Sequence, residues 1–206
     1  MTRLLLTRHG QSTWNAEGRF QGWADPPLSE TGLDQARKLA QRLAADGYTL
    51  AAIYSSPLLR AKQTAEQVGQ AFGLPVQTDE RLKEIDVGQI TGLTGSEVEQ
   101  RFPEWWAARR VSQEWMPPPE GEDRNSFASR AAAVMAHIVA NHSEQTVAVV
   151  SHGGILGAYL IHALEMSIHR SSPFQFDNAS LSIAQVGERR IRLLRLNDTA
   201  HLTNSK

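Results

Sequence analysis

Three short apolar runs in this sequence each end in a polar segment that carries arginine or histidine. The polar segments are Arg8-His9-Gly10, residues 55–60 and residues 151–154. A short aliphatic run bounded by turn residues is typical of a buried strand. In an open parallel sheet, ligands bind beyond the carboxyl ends of the strands. The sequence therefore predicts that two arginines and two histidines meet at one edge of a sheet and form an anion site.

The rest of the chain alternates strand and helix patterns, which predicts an α/β fold, a three-layer α/β/α sandwich. Helices are expected after Ser29 and Pro57, and over residues 123–141 and 154–164. The last two strands flank Gly187-Glu188, a hairpin signal, so a mostly parallel sheet should have an antiparallel edge. The predicted strands are residues 3–7, 50–55, 75–78, 146–151, 180–186 and 190–196.

Residues 91–124 interrupt this alternation and contain Trp105, Trp106, Trp115 and three consecutive prolines. We interpret them as one or two short helices and a rigid proline segment that form a small cap. The cap would be an insertion in a single domain spanning residues 1–206. An ordinary packed insertion, with tryptophans that fill a core, is the alternative.

The composition excludes several classes of function. The chain has no cysteine, which excludes disulfides, thiolate metal sites and a cysteine nucleophile. Its formal net charge of -1 does not indicate the excess of basic residues that is typical of nucleic-acid-binding proteins. No apolar run approaches the roughly 20 residues that cross a bilayer, and the N-terminus lacks signal-peptide character. We therefore expect a cytoplasmic protein with no membrane or nucleic-acid partner.

Residues 6–15, with the sequence LTRHGQSTWN, resemble the signature of the histidine phosphatase superfamily, the phosphoglycerate mutase-like proteins. Further matches follow in the family's order over nearly the whole chain. They are residues 20–22, 25–32, 55–61, 63–65, 82–88 and 150–154. The chain departs from many phosphatase members at residues 89–92, where an aromatic and an acidic residue are absent, and at Asp123, where they carry serine.

The resemblance implies that His9 attacks phosphorus and becomes a phosphohistidine. Arg8 and Arg60 would clamp the phosphoryl oxygens, since such transfers depend on positioning and electrostatic stabilisation. His152, when protonated, would donate to a phosphoryl oxygen. The family motif places the general acid at Glu84.

Asp86 is the nearest rival to Glu84 as the general acid. Four further residues are expected to bind substrate beside the arginines and His152, namely Asn15, Gln21, Gly22 and Gly153. No metal ion and no cofactor is expected at the site. The other histidines show no metal-ligand spacing and are interpreted as surface or packing residues: His137, His142, His162, His169 and His201.

The resemblance implies a metal-independent phosphatase that hydrolyses small-molecule phosphomonoesters through a phosphohistidine intermediate. Two alternatives are a cofactor-dependent phosphoglycerate mutase and a non-catalytic module that binds a phosphorylated ligand. The length of 206 residues fits the shorter phosphatase branch. The partners would be a small phosphorylated metabolite, with inorganic phosphate as product, and a homodimer is one option.

The sequence leaves the substrate open among phosphoserine, ribazole phosphate, sugar phosphates and phosphoglycerate. We expect Trp105, Trp106 or Trp115 to contact the leaving group. Residues 197–202 resemble the tail of phosphatase members and would either close over the site or be disordered.

Overall fold

The computed structural model has a six-stranded sheet with helices on both faces and describes residues 1–112, 114–167, 172–188 and 190–203. The strands are β1 (Thr2–Arg8), β2 (Ala52–Ser55), β3 (Val76–Thr78), β4 (Thr146–Ser151), β5 (Leu181–Val186) and β6 (Ile191–Asp198). The helices are α1 (Thr13–Ala16), α2 (Glu30–Ala45), α3 (Leu59–Phe72), α4 (Gly95–Arg101), α5 (Pro103–Val111), α6 (Arg124–Asn141) and α7 (Gly153–Ala163). Short 3₁₀ turns cover Glu80–Leu82, Gly88–Ile90 and Ala200–Leu202.

The strand order is β3-β2-β4-β1-β5-β6. Strands β1 to β4 run parallel, whereas β5 pairs antiparallel with both β1 and β6. The predicted parallel sheet with an antiparallel edge is therefore confirmed.

Side chains of β1 alternate between two apolar cores, one on each face of the sheet. Leu4 and Leu6 join the core beneath α6 and α7, and Leu5 joins the core beneath α2 and α3. All three leucines are fully buried. The two cores account for the continuous apolar run in the sequence, and they confirm the three-layer α/β/α sandwich.

The prediction of one long loop between β1 and Ser29 is wrong in one part, because this segment contains the one-turn helix α1. Ser12 caps α1, because its hydroxyl oxygen accepts a hydrogen bond from the backbone N–H of Asn15. The side-chain oxygen of Asn15 in turn accepts from the backbone N–H of Ser12. This capping box satisfies two end donors and stabilises a helix too short to show apolar periodicity.

The region predicted as a cap contains the two helices α4 and α5. Thr94 caps α4 in a box with Glu97, and Pro103 starts α5 at a position where no N–H is needed. A small core of Val87, Ile90 and Val98 supports both helices. Among the described residues, no helix is long and apolar enough to cross a membrane.

The loop after β1 lies against the first turn of α2, where Gly10 and Gly32 approach each other closely. A Cβ atom added to Gly32 would overlap the carbonyl oxygen of Gln11. The amide N–H of Gln11 in turn donates to the side chain of Gln35, at 2.8 Å. Glycine at position 32 therefore lets α2 approach the loop that carries His9.

We expect Gly32→Ala to lower the free energy of unfolding by about 1–3 kcal/mol, because backbone must move to admit the methyl group. Denaturant unfolding monitored by circular dichroism measures the change. Gly95→Ala is the matched control in another helical first turn, where the new methyl would lie 3.6 Å from the Trp106 ring. Equal stability of the Gly32 variant and wild type would contradict the close approach.

Candidate active site

The register of β1 and β4 places the two predicted site histidines side by side. Arg8 pairs with Ser151, so His9 and His152 are the next residues beyond the ends of adjacent strands. The backbone N–H of His9 donates to the carbonyl of Ser151 at 2.9 Å. The two imidazole centroids lie 5.1 Å apart in an edge-on arrangement.

His9 is oriented by its own loop. Its Nδ1 lies 2.6 Å from the carbonyl oxygen of Gly10, which can only accept, so Nδ1 carries the proton. Burial, with added repulsion from Arg60 and Arg8, holds the pKa of His9 well below its ordinary value of 6.5. His9 is therefore neutral near pH 7, with its lone pair on Nε2.

His152 is also neutral, for the same reasons. Burial lowers its pKa most, followed by repulsion from Arg60. This differs from the sequence-based expectation of a protonated ring, because a third positive charge beside two arginines is unfavourable. Nε2 of His152 lies 2.8 Å from Ser56 Oγ. Nδ1 is buried and has no hydrogen-bond partner within the described part of the chain.

Arg60 is a buried guanidinium held by main-chain oxygens. Its NH1 donates to the carbonyl of Ala24 at 2.7 Å and its NH2 to that of Gly22 at 2.9 Å. Only 1% of the residue is exposed, and burial lowers its pKa to about 10. Its Nε is buried and finds no partner in the described residues. A buried cation with a spare N–H is suited to an anionic ligand.

Arg8 lies beside this cation at the end of β1. Its NH1 donates to the carbonyl of Phe176 at 2.7 Å, and burial lowers its pKa. Glu84 and Asp177 oppose that change through their negative charge. The fixed guanidinium leaves its other N–H groups available to the cavity, which Arg8 lines.

Glu84 reaches the same cavity from the loop after the first 3₁₀ turn. Its carboxylate accepts from the backbone N–H of Ile85 at 2.8 Å and from that of Gly154 at 3.0 Å. Gly154 is in the first turn of α7, whose dipole favours a negative charge. The rival carboxylate, Asp86, accepts from the N–H of Gly88 and does not line the cavity.

Arg130 of α6 fixes the loop that carries Glu84. Its guanidinium donates to the carbonyls of Arg81, Lys83 and Glu84, the last at 2.7 Å. It also forms two bonds with the carboxylate of Glu122, at 2.7 and 2.8 Å. Sequence reasoning missed this residue, since a lone arginine on a helix gives no signal of the carbonyls it will meet.

The four other predicted substrate-binding residues all line the cavity: Asn15, Gln21, Gly22 and Gly153. Side-chain oxygens of the two amides contact the Ser12 hydroxyl, at 3.1 and 2.8 Å. That arrangement directs each amide nitrogen away from Ser12. Gly22 has a φ of 51°, and a Cβ there would lie 2.8 Å from Val87 Cγ2.

The cavity measures about 390 Å³ and extends from the basic floor to the cap. Trp105 and Trp115 line it, whereas Trp106 does not and packs edge-on against Phe20 at 6.2 Å. The lining residues that the sequence did not predict are Arg19, Phe20, Ile85, Val87, Ile90, Arg109, Met116, Pro118 and Gly154. Four arginines and one carboxylate thus line the cavity, which makes it strongly basic.

Arg109 and Arg19 are the cations that sequence reasoning missed. Arg109 lies one turn after Trp105 on α5, and its guanidinium carbon is 5.8 Å from that ring's centroid. The i, i+4 spacing of Trp105 and Arg109 could have indicated that their side chains are neighbours on a helix. Arg19 precedes the matched residues 20–22, and Glu17 and Glu97 balance its charge.

The C-terminal tail does not close over the cavity as expected. His201 Nε2 lies 3.0 Å from the carbonyl of Ala179, and the backbone N–H of Ala179 donates to the carbonyl of His9. The tail therefore supports the loop behind His9. Among the described residues, no cluster of three or more His, Asp or Glu could hold a metal. His169 lies outside the described residues.

Comparison with known proteins identifies the class to which this fold and site belong. The family model of the histidine phosphatase superfamily (branch 1) matches residues 4–199. The chain therefore belongs to that superfamily, and it is a phosphoric monoester hydrolase.

Three relatives illustrate the similarity. Phosphoserine phosphatase 1 of Hydrogenobacter thermophilus is 38% identical over 98% of this chain and 95% of its own length. The metal-independent phosphoserine phosphatase of Arabidopsis thaliana is 34% identical, over 99% of this chain and 84% of its own. The solved structure of Bacillus stearothermophilus YhfR superposes with a TM-score of 0.89 at 34% identity, over 98% and 100% of the two chains.

The buried neutral histidines make folding stability depend on pH. Because their folded-state pKa values lie below the unfolded value of about 6.5, the unfolded chain binds protons first as the pH falls. Stability is thus lost below about pH 6.5, by about 1 kcal/mol per histidine between pH 7.5 and 5.5. We expect His9→Gln to lose less stability than the wild type between about pH 7.5 and 5.5, by the contribution of one histidine. Urea unfolding at the two pH values measures the difference. An unchanged slope in His9→Gln would refute the assignment.

Proposed function

We propose that the protein hydrolyses small phosphomonoesters that also carry a carboxylate, through a phosphohistidine on His9 and without a metal ion. The observation that carries the proposal is a pair of buried polar atoms without partners in the described chain, Arg60 Nε and His152 Nδ1, on two residues that line the same cavity. It lies beside a neutral imidazole whose Nε2 lone pair is available.

In the first step, Nε2 of His9 attacks phosphorus while the bond from phosphorus to the ester oxygen breaks. The side chains of Arg8, Arg60 and His152 hold the phosphoryl oxygens and stabilise their charge. Glu84 enters this step in its protonated form and gives the proton to the leaving oxygen, which departs as an alcohol. The products are phosphohistidine, the alcohol and the Glu84 carboxylate.

In the second step, the Glu84 carboxylate takes a proton from water, and the water oxygen attacks phosphorus. The N–P bond breaks, inorganic phosphate leaves, and His9 returns to its neutral form. Glu84 is protonated again and ready for another cycle. Two permanent cations supply the charge that Mg²⁺ provides in other phosphoryl transfers.

The carboxylate preference is supported by the cap end of the cavity. The guanidinium of Arg109 lies over the rings of Trp105 and Trp106, and among the described residues no carboxylate forms an ion pair with it. Two relatives are named as phosphoserine phosphatases, and phosphoserine carries such a carboxylate. A 390 Å³ cavity suits a metabolite of that size.

The other expectations about partners stay predictions. They are a homodimer, the absence of nucleic-acid and membrane partners, and a cytoplasmic location. The mutase and the non-catalytic binding module differ from the proposed hydrolase in the fate of the phosphoryl group. A mutase passes it to a second phosphoglycerate, and a binding module never forms the phosphoenzyme.

Glu84→Gln should separate the two steps. With nitrophenyl phosphate, whose leaving group needs little protonation, we expect a fast burst of nitrophenol and acid-labile phosphate trapped on His9. With an alkyl phosphate, phosphorylation itself should slow by about 10²-fold or more. Rapid quench in excess EDTA, followed by peptide mapping, measures both and tests metal independence.

Asp86→Asn is the control, since that carboxylate faces Gly88 instead of the cavity. It should show no trapped phosphate above the wild-type level. Equal slowing of both substrates by Glu84→Gln would instead assign Glu84 a positional role. Loss of the burst in EDTA would overturn metal independence.

Arg109→Met should change specificity and leave the chemistry intact. We expect kcat/KM for phosphoserine to fall by roughly 10-fold, since a charge-assisted hydrogen bond is lost. Phosphoethanolamine, which lacks the carboxylate, should be hydrolysed as before. Steady-state kinetics on this pair of substrates isolates the carboxylate.

Arg110→Met is the matched control, because Arg110 is the next residue on α5 and does not line the cavity. The ratio of the two substrates should stay at its wild-type value in this variant. If Arg109→Met lowers both substrates by one factor, the carboxylate is bound elsewhere.

A further inference from the structure

A buried serine contacts His152 on one of its two ring nitrogens. Ser56 follows β2, and its Oγ lies 2.8 Å from Nε2 of His152. Both residues are shielded from solvent, with Ser56 0% and His152 1% exposed. Bulk solvent therefore does not reach this contact. Since Ser56 occupies Nε2, Nδ1 is the nitrogen left for a phosphoryl oxygen.

The position of the serine proton follows from the contacts of Oγ. The hydroxyl has one proton to donate and can accept other hydrogen bonds. The backbone N–H of Leu58 donates to Ser56 Oγ at 3.3 Å, and that contact does not use the hydroxyl proton. Within the described residues, His152 Nε2 is the only acceptor in reach of Oγ. A buried hydroxyl without an acceptor is costly, so the proton points to Nε2.

This bond selects one form of a neutral imidazole. A neutral ring carries its proton on one nitrogen and a lone pair on the other. If Nε2 accepts from Ser56, the proton must be on Nδ1. The opposite form would leave the serine proton unpaired and present an Nδ1 lone pair to the oxygens of a phosphate.

We propose that Ser56 is a positioning residue that sets the tautomer of His152, so that the neutral ring donates from Nδ1 to a phosphoryl oxygen. The inference rests on the phosphoryl-binding role of His152 in the proposed function. It explains how His152 can be a donor without adding a third positive charge beside Arg8 and Arg60. The Ser56 hydroxyl fixes the ring proton on Nδ1, so His152 can donate from that nitrogen without carrying a second proton.

Ser56→Ala tests the proposal with two readouts. In the wild type, long-range ¹H–¹⁵N spectra of labelled histidines should show Nδ1 of His152 protonated and Nε2 unprotonated. The signals are assigned by their loss in His152→Gln. In Ser56→Ala the two forms should mix, and the inhibition constant of inorganic phosphate against nitrophenyl phosphate should rise roughly 10-fold.

Ser180→Ala is the matched control, because Ser180 is also fully buried and its Oγ has no partner among the described residues. It should leave both readouts unchanged. A wild-type ring protonated at Nε2 overturns the proposal, even if Ser56→Ala fails to fold. An unchanged tautomer or phosphate inhibition constant in a folded Ser56→Ala protein also overturns it. Failure of the proposed function would appear separately, as absent hydrolysis by the wild type.

Discussion

The burial of Arg60 is the constraint on which the rest of the site depends. Moving a guanidinium out of water is expensive unless partners replace its hydration. The loop at Gly22 and Ala24 supplies two carbonyls, and the left-handed conformation of Gly22 allows that loop to turn inward. Nε of Arg60, which has no partner among the described residues, remains for an anion, and the positive charge of Arg60 adds to burial in lowering the pKa of His9. In the proposed function, this one buried cation both binds the phosphoryl group and helps to keep His9, the proposed nucleophile, neutral.

Glu84, the proposed proton donor, is held by a hydrogen-bond network that also includes the end of the cap. Glu122 accepts from Arg130 and donates its backbone N–H to the carbonyl of Asp86, and Arg130 holds the carbonyl of Glu84. A methyl group at Gly154 would overlap the Glu84 carboxylate, so α7 must present glycine there. A displacement of the segment that ends the cap would therefore move the acid relative to the phosphoryl site.

Much of this could be predicted from the sequence, because the informative signals are local. A continuous apolar run predicted β4 at its observed bounds, and the order of the motifs predicted that His9, Arg60, Glu84 and His152 line one cavity. Helix α1 was missed because a one-turn helix depends on capping and shows no periodicity. Arg130 was missed because its acceptors are backbone carbonyls 46 to 49 residues away. Contacts of that kind have no residue-type signature.

In the proposed function, the residues of the chemistry and the residues of specificity are separate along the chain as well as in space. The phosphoryl end is built from strand termini whose register is fixed by two buried cores, so a change there disturbs the sheet. The cap end is built from α5, a nine-residue helix with no fully buried residue. A side chain such as Arg109 can be replaced there with little cost to packing, since exposed substitutions are usually close to neutral. Selection for a new leaving group can therefore act on the cap while the phosphohistidine chemistry stays intact.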